Sequence, residues 1–282
     1  MSYVELKHLL AALALEAVRD PARARWAPVA LACAEHASPR ESRFQWRDCL
    51  TRAVALSAPF GWKPTRREIT RLVKRGLFER RGDLIVIPPR FTAHLEYFKR
   101  QTARLLQALA DLQGTKDPAR VAAVLFNGGL FFECHEWCEG LWKRAPGASK
   151  DVYHGIVQVA AAFYHHEKGN RHGSRTLLGK GLAHLAPYPD VYLGIDLGRL
   201  RADLAPWTEH FAGGPRPTDF PRIKPAKSQR ELRGGNGSAL EGVGFEPTEQ
   251  VLPAQPLSRR LPSADSVTPP GSPILTQTTN RR

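Results

Sequence analysis

Between Lys150 and Lys168 the chain reads as one helix that is apolar on nearly every side, through Val152, Tyr153, Ile156, Val157, Val159, Ala160, Ala161, Ala162, Phe163 and Tyr164. Such a helix is stable only when other elements surround it. The flanking sequence must therefore supply a bundle. Ser149 is the expected cap and Gly169 the expected stop. The polar exceptions His154, Gln158 and His165 stand at i, i+4 and i+11, so they share one stripe. Buried polar groups need partners, and the preceding helix offers them.

That helix spans Leu130 to Lys143. His135, Glu139 and Trp142 lie along one face at i, i+4 and i+7, with Glu136 a further step round and Glu133 about a turn earlier. Three carboxylates beside one histidine form a dense polar group in a segment otherwise rich in Phe, Trp and Leu. Glu133, His135, Glu136, Glu139, Trp142, Gln158 and His165 are thus the candidate site. Three readings stay open: a buried hydrogen-bond and ion-pair network that fixes helix register, a small-ligand pocket in which Trp142 stacks, or a metal site. The ligands of a metal site would be His135, Glu139 and His165, with Glu136 an alternate for Glu139. The zinc-protease helix pattern would need a second histidine where Glu139 stands. A buried Glu beside His also permits general acid–base chemistry, yet no residue can be assigned as catalytic. There is no Gly-rich phosphate loop, dinucleotide fingerprint or nucleophile elbow, and Gly179-Lys180-Gly181 lacks the preceding glycine of a Walker loop. No cofactor is expected beyond a divalent metal.

The block Phe126-Asn127-Gly128-Gly129-Leu130-Phe131-Phe132-Glu133-Cys134-His135-Glu136-Trp137-Cys138-Glu139-Gly140-Leu141-Trp142 resembles the signature of the domain-of-unknown-function family 309. Gly155 to Ala162, then His165, His166, Gly169 and Asn170, resemble its second block. The resemblance extends over residues 119–204. It implies a small, entirely helical, cytoplasmic bundle and implies no activity.

Charge is distributed unevenly. Residues 1–100 carry 19 basic and 10 acidic side chains, whereas residues 101–214 carry 12 and 11. Affinity for polyanions belongs to the first hundred residues or to the far end of the chain. The first segment reads as helices over Glu5–Val18, Trp26–His36 and about Phe44–Leu56, then a break at Pro59 to Pro64. Thr65 caps a short helix with Ile69, Leu72 and Val73 inward. Two short β-type runs follow, Leu77–Glu79 and Leu84–Ile87, separated by a turn. A helix followed by a hairpin is winged-helix-like. Arg66, Arg67, Arg71, Arg75, Arg80 and Arg81, with Lys74, are its candidate nucleic-acid contacts; a solvated basic face is the plainer alternative.

A longer helix from about Arg90 to Leu112 connects the halves, and Asp117-Pro118 opens the next. After Arg171–Leu185 a short helix covers Ile195–Leu204. From about Gly213 the composition turns to Pro, Gly, Ser, Arg and Thr, which predicts disorder. The run Gly244-Phe245-Glu246-Pro247-Thr248 also resembles the conceptual translation of a transfer-RNA T-arm complement, so read-through is an alternative there. The amphipathic start is not a signal peptide, no run reaches membrane-spanning length, and Cys33, Cys49, Cys134 and Cys138 read as free thiols in a reducing cytoplasm.

The expected architecture is mostly α: a winged-helix-like basic module with one short β-hairpin over residues 1–90, a helical bundle over 91–212, and a disordered tail over 213–282. The functional expectation is a non-enzymatic cytoplasmic binding protein whose bundle holds a small ligand or protein partner, with nucleic-acid contact through the first module. The alternative is a metal-assisted hydrolase centred on His135.

Overall fold

A computed structural model describes residues 2–226 of the chain. Its backbone is mostly α-helical. Helix α1 (Ser2–Arg19) is followed by α2 (Trp26–His36), strand β1 (Arg43–Gln45), α3 (Trp46–Ser57), α4 (Arg66–Lys74), β2 (Glu79–Arg81) and β3 (Leu84–Val86). A single turn, α5 (Pro89–Thr92), leads into α6 (Leu95–Leu112). The second half comprises α7 (Pro118–Asn127), α8 (Phe131–Trp142), α9 (Gly147–Glu167), α10 (Arg171–Leu185), a small hairpin of β4 (Val191–Tyr192) and β5 (Ile195–Asp196), and α11 (Leu197–Phe211).

The capping chemistry explains several boundaries. Thr65 accepts from the Arg67 amide and Glu68 accepts from the Thr65 amide, a reciprocal cap that starts α4. Asp117 does the same service for α7 by accepting from Arg120 N at 2.6 Å, with Pro118 at the first helical position. Where the helix was expected to begin at Phe44, the chain instead forms β1, because Asp48 takes the Gln45 amide at 2.7 Å and fixes the helix start at Trp46. The expected hairpin is present as β2–β3, but its first strand is Glu79–Arg81 rather than Leu77–Glu79, so that Arg80 and Arg81 stand in the strand and the turn is Gly82-Asp83. β1 pairs on the other edge of β3, with Arg43 and Glu79 both opposite Val86, giving the sheet order β1-β3-β2. The expected single helix from Arg90 is interrupted at His94, whose backbone leaves the helical region. Helix α9 begins at Gly147, following Pro146 in extended conformation, and Ser149 lies inside its first turn rather than at its cap.

As its composition requires, α9 is central. Val152, Ile156, Val159, Ala160, Ala162 and Phe163 are fully buried, with α8 on one side and α10 on another. The approach to α10 is close. A Cβ placed on Gly181 would lie 3.0 Å from the Gly155 carbonyl oxygen, and one on Gly155 would lie 2.8 Å from Leu185. Glycine at both positions is a packing requirement.

Helix α1 does not belong to the basic module alone. It packs on α6 and α8, and its Tyr3 meets Tyr97 edge-on at 4.9 Å while His8 meets Phe132 at 5.3 Å. The chain after α11 is also more ordered than its composition suggested, as far as Ala226. Ile223 is fully buried, and its backbone exchanges two hydrogen bonds with the Asn127 side-chain amide, at 2.8 and 2.9 Å. Trp207 Nε1 donates to the Asp219 carbonyl at 3.0 Å. These partners explain how a polar, Pro-rich segment is held. The expectations for the run Gly244 to Thr248 lie outside the described residues.

Candidate functional site

Helix α8 carries the site on its C-terminal two turns. His135 is buried, 7% exposed, and its Nδ1 lies 3.3 Å from the Val157 carbonyl oxygen of α9. A carbonyl can only accept, so Nδ1 carries the proton and the lone pair of the neutral ring is on Nε2. Burial pushes the imidazole pKa down, against the opposing effects of the Val157 carbonyl and Glu139. Burial thus favours the neutral ring. Nε2 has no hydrogen bond among the described residues and stands 4.0 Å from Glu136 Oε1. One atom from each of His135, Glu136 and Glu139 falls within 4.8 Å of the others.

Two lysines balance these acids. Lys143, one turn further on, pairs with Glu139 at 2.9 Å. The other is Lys7 of α1, 6% exposed, with its ammonium 3.8 Å above the Phe132 ring. Burial lowers its pKa to about 8, with Glu136 and Glu133 opposing the fall. Glu136 moves the other way: burial and the neighbouring Glu139 push it up to about 7, while Lys7 and Lys143 restrain it. Glu133 is also pushed up to about 7 by burial. Its charged neighbours besides Lys7 are Glu167 and Arg104. Arg104 pairs with Glu167 at 2.9 Å and donates to the Gly129 carbonyl at 2.9 Å. Glu133 therefore faces a different part of the interior from His135.

The structure brings together His135, Glu136 and Glu139, and separates the remaining candidates. Trp142 stacks on His154 with ring centroids 4.3 Å apart. Gln158 Nε2 donates to His154 Nε2 at 3.0 Å, so the α9 stripe forms its own group with Trp142. His165 is engaged locally. Asn170 accepts from the Gly173 amide at 2.8 Å, which turns its NH₂ toward His165 Nδ1 at 3.0 Å. The third member of the histidine–carboxylate group is accordingly Glu136, not His165. Val157, whose carbonyl meets His135, stands eight residues before His165 on α9, a separation of roughly 12 Å along the helix axis.

Residues 120–177 match the family model described as Domain of unknown function (DUF309). All three members of the histidine–carboxylate group and Val157 lie within the matched residues; Lys7 does not. Among curated proteins, the chain is 40% identical over 73 residues to the uncharacterized protein YpuF of Bacillus subtilis, covering 25% of this chain and 42% of that protein. It is 27% identical over 124 residues to an uncharacterized protein of Aquifex aeolicus, covering 44% of this chain and 35% of the other. The chain thus spans less than half the length of either relative. No solved structure matches it. Among the described residues no helix is long and apolar enough to cross a membrane.

Lys7 was missed in the sequence. It belongs to an N-terminal helix far along the chain from the matched residues 120–177, and an amphipathic helix normally carries its lysines outward. One signal was available: Lys7 is a turn or two from Leu10 and Ala14 on a stripe that is otherwise apolar.

The expected nucleic-acid residues divide into three groups. Arg66, Arg67 and Lys74 are exposed on α4 and have no acidic partner among the described residues. Arg71 and Arg75 converge on the two oxygens of Glu16 in α1, at 2.9 and 2.6 Å, and Arg71 also donates to the Arg23 carbonyl at 3.0 Å. In the hairpin, Arg80 donates to the Gly82 carbonyl at 2.9 Å and Arg81 lies 3.6 Å from Glu79.

Proposed function

We propose that the bundle is a cation-binding module in which His135, Glu136 and Glu139 hold one divalent first-row transition ion. The observation that carries this reading is the Nε2 of a buried imidazole, left without a hydrogen bond while Nδ1 is fixed by the Val157 carbonyl, beside two carboxylates. A ligating histidine is typically oriented in this way through its other nitrogen. One imidazole and two carboxylates suit Zn²⁺ or Mn²⁺ better than a softer or all-oxygen ion. The 4.0 Å between Nε2 and Glu136 exceeds the roughly 3.3 Å between ligands of a tetrahedral ion with bonds of about 2.0 Å. Small side-chain rotations close that gap, and the ion would displace the Lys143 contact.

Binding rather than turnover is the function we infer. His135 is 7% exposed and Glu139 is already paired with Lys143, an arrangement closer to a closed structural site than to a catalytic one with a ligand position held open.

The test is calorimetric titration of Zn²⁺ and of Mn²⁺ into the full chain and into His135→Ala, Glu139→Gln and Lys7→Met. Near-stoichiometric binding lost in the first two variants supports the site. Lys7→Met removes a neighbouring positive charge and is expected to tighten binding by about three- to tenfold, the effect of roughly 1 kcal/mol. Heat unchanged in His135→Ala would refute the assignment.

A further inference from the structure

We propose that the outer face of α4 is a docking surface for duplex DNA, and that Glu16 restrains it by occupying two of its arginines. Helix α4 presents Ile69 and Leu72 to the core and Arg66, Arg67, Thr70 and Lys74 to solvent. A hollow of about 440 Å³ on this face is lined by Arg67, Thr70, Arg71, Lys74 and Arg75. Two of its four cations, Arg71 and Arg75, are taken up by one carboxylate, that of Glu16, whose two oxygens they hold at 2.9 and 2.6 Å. Two guanidinium groups gripping one anion is the geometry with which arginines grip a phosphate. The charge left over on Arg66, Arg67 and Lys74 has no acidic partner among the described residues, and it belongs to the first hundred residues, with 19 basic against 10 acidic side chains.

The shape selects the kind of polyanion. A single exposed helix face enters the major groove of B-DNA, about 12 Å wide, whereas the major groove of an RNA duplex is too deep and narrow for it. Single strands are held on aromatic platforms, and the outward residues of α4 include no ring.

Each phosphate neutralised contributes roughly 0.9 to the slope of log affinity against log salt. Freed from Glu16, Arg71 and Arg75 add up to two such contacts. The experiment is fluorescence anisotropy of a labelled random-sequence DNA duplex with the full chain, from 50 to 200 mM salt, with wild type, Glu16→Gln and the combined variant Arg66→Glu, Arg67→Glu, Lys74→Glu. The proposal expects salt-sensitive binding by wild type, at least a tenfold loss in the combined variant, and several-fold tighter binding with a steeper slope in Glu16→Gln. All three substituted cations are on the surface; should the combined variant fail to fold, Arg67→Ala with Lys74→Ala replaces it and must weaken binding. An absence of binding at 50 mM salt overturns the proposal. So does a Glu16→Gln variant with unchanged affinity and slope, or equal affinity for single-stranded DNA, duplex RNA or anionic vesicles.

Discussion

Lys7 of α1 lies with its ammonium 3.8 Å from the centroid of Phe132, the ring that precedes Glu133 on α8. One contact thereby joins the N-terminal helix to the helix carrying the histidine–carboxylate group. An ammonium over an aromatic face gains from the ring quadrupole, yet this ammonium is almost wholly removed from water, and burial dominates its proton affinity. The positive charge beside Glu136 is therefore one the protein holds at some cost.

The cost has a pH window. In the folded chain the Lys7 pKa is about 8, against 10.5 for an unperturbed lysine. Between these values the unfolded chain binds the proton and the folded chain does not, so stability rises with pH across the window, and the penalty is complete below pH 8. Lys7→Met, which keeps an unbranched side chain against Phe132, removes this contribution. Urea midpoints measured from pH 7.5 to 10 are expected to show wild type gaining on Lys7→Met as pH rises. Parallel profiles would mean that Lys7 is solvated in solution.

A second prediction concerns the helix pair behind the site. Gly181→Ala places a methyl group 3.0 Å from the Gly155 carbonyl oxygen and 2.8 Å from Val159 Cγ2. Backbone cannot give way as a flexible side chain can, so α9 and α10 must separate at a cost of about 1–3 kcal/mol. Thermal denaturation reads this directly. Gly179→Ala, where a Cβ meets nothing within 4 Å, is the control and should leave the melting temperature unchanged or slightly higher.

Asn127→Ala tests the order of the segment after α11. It removes both hydrogen bonds to Ile223 and leaves a buried backbone amide and carbonyl without those partners, a loss of about 1–3 kcal/mol. Hydrogen exchange at residues 219–225 is expected to accelerate while α9 remains protected. Unchanged protection there would show that the Phe220 and Trp207 ring contact suffices to hold the segment.

Much of the bundle was legible in the sequence, because periodicity and caps are local. Trp26–His36 and Arg171–Leu185 coincide with α2 and α10, and the apolar surround of α9 required its central place. The site was legible only within a helix. His135, Glu136 and Glu139 share one stretch of α8, so their spacing sufficed to group them. Contacts between helices depend on rotation and offset, which spacing does not encode. The stripe His154, Gln158, His165 was therefore expected opposite His135, whereas a backbone carbonyl, that of Val157, meets the imidazole. Glu16 was illegible for the same reason, and Lys7 left only its place on an otherwise apolar stripe: each acts on a residue far along the chain. Order as far as Ala226 was hidden by composition, since Asn127 supplies partners that the segment lacks by itself.

The central claim is that an ion sits at His135 Nε2 between Glu136 and Glu139. Its most direct test is a crystal of the full chain grown with Zn²⁺, with diffraction recorded above and below the zinc absorption edge. The account predicts an anomalous peak about 2.0–2.1 Å from His135 Nε2, with Glu139 withdrawn from Lys143. An intact Glu139–Lys143 pair with no peak at Nε2, while the crystal shows zinc elsewhere, would contradict it.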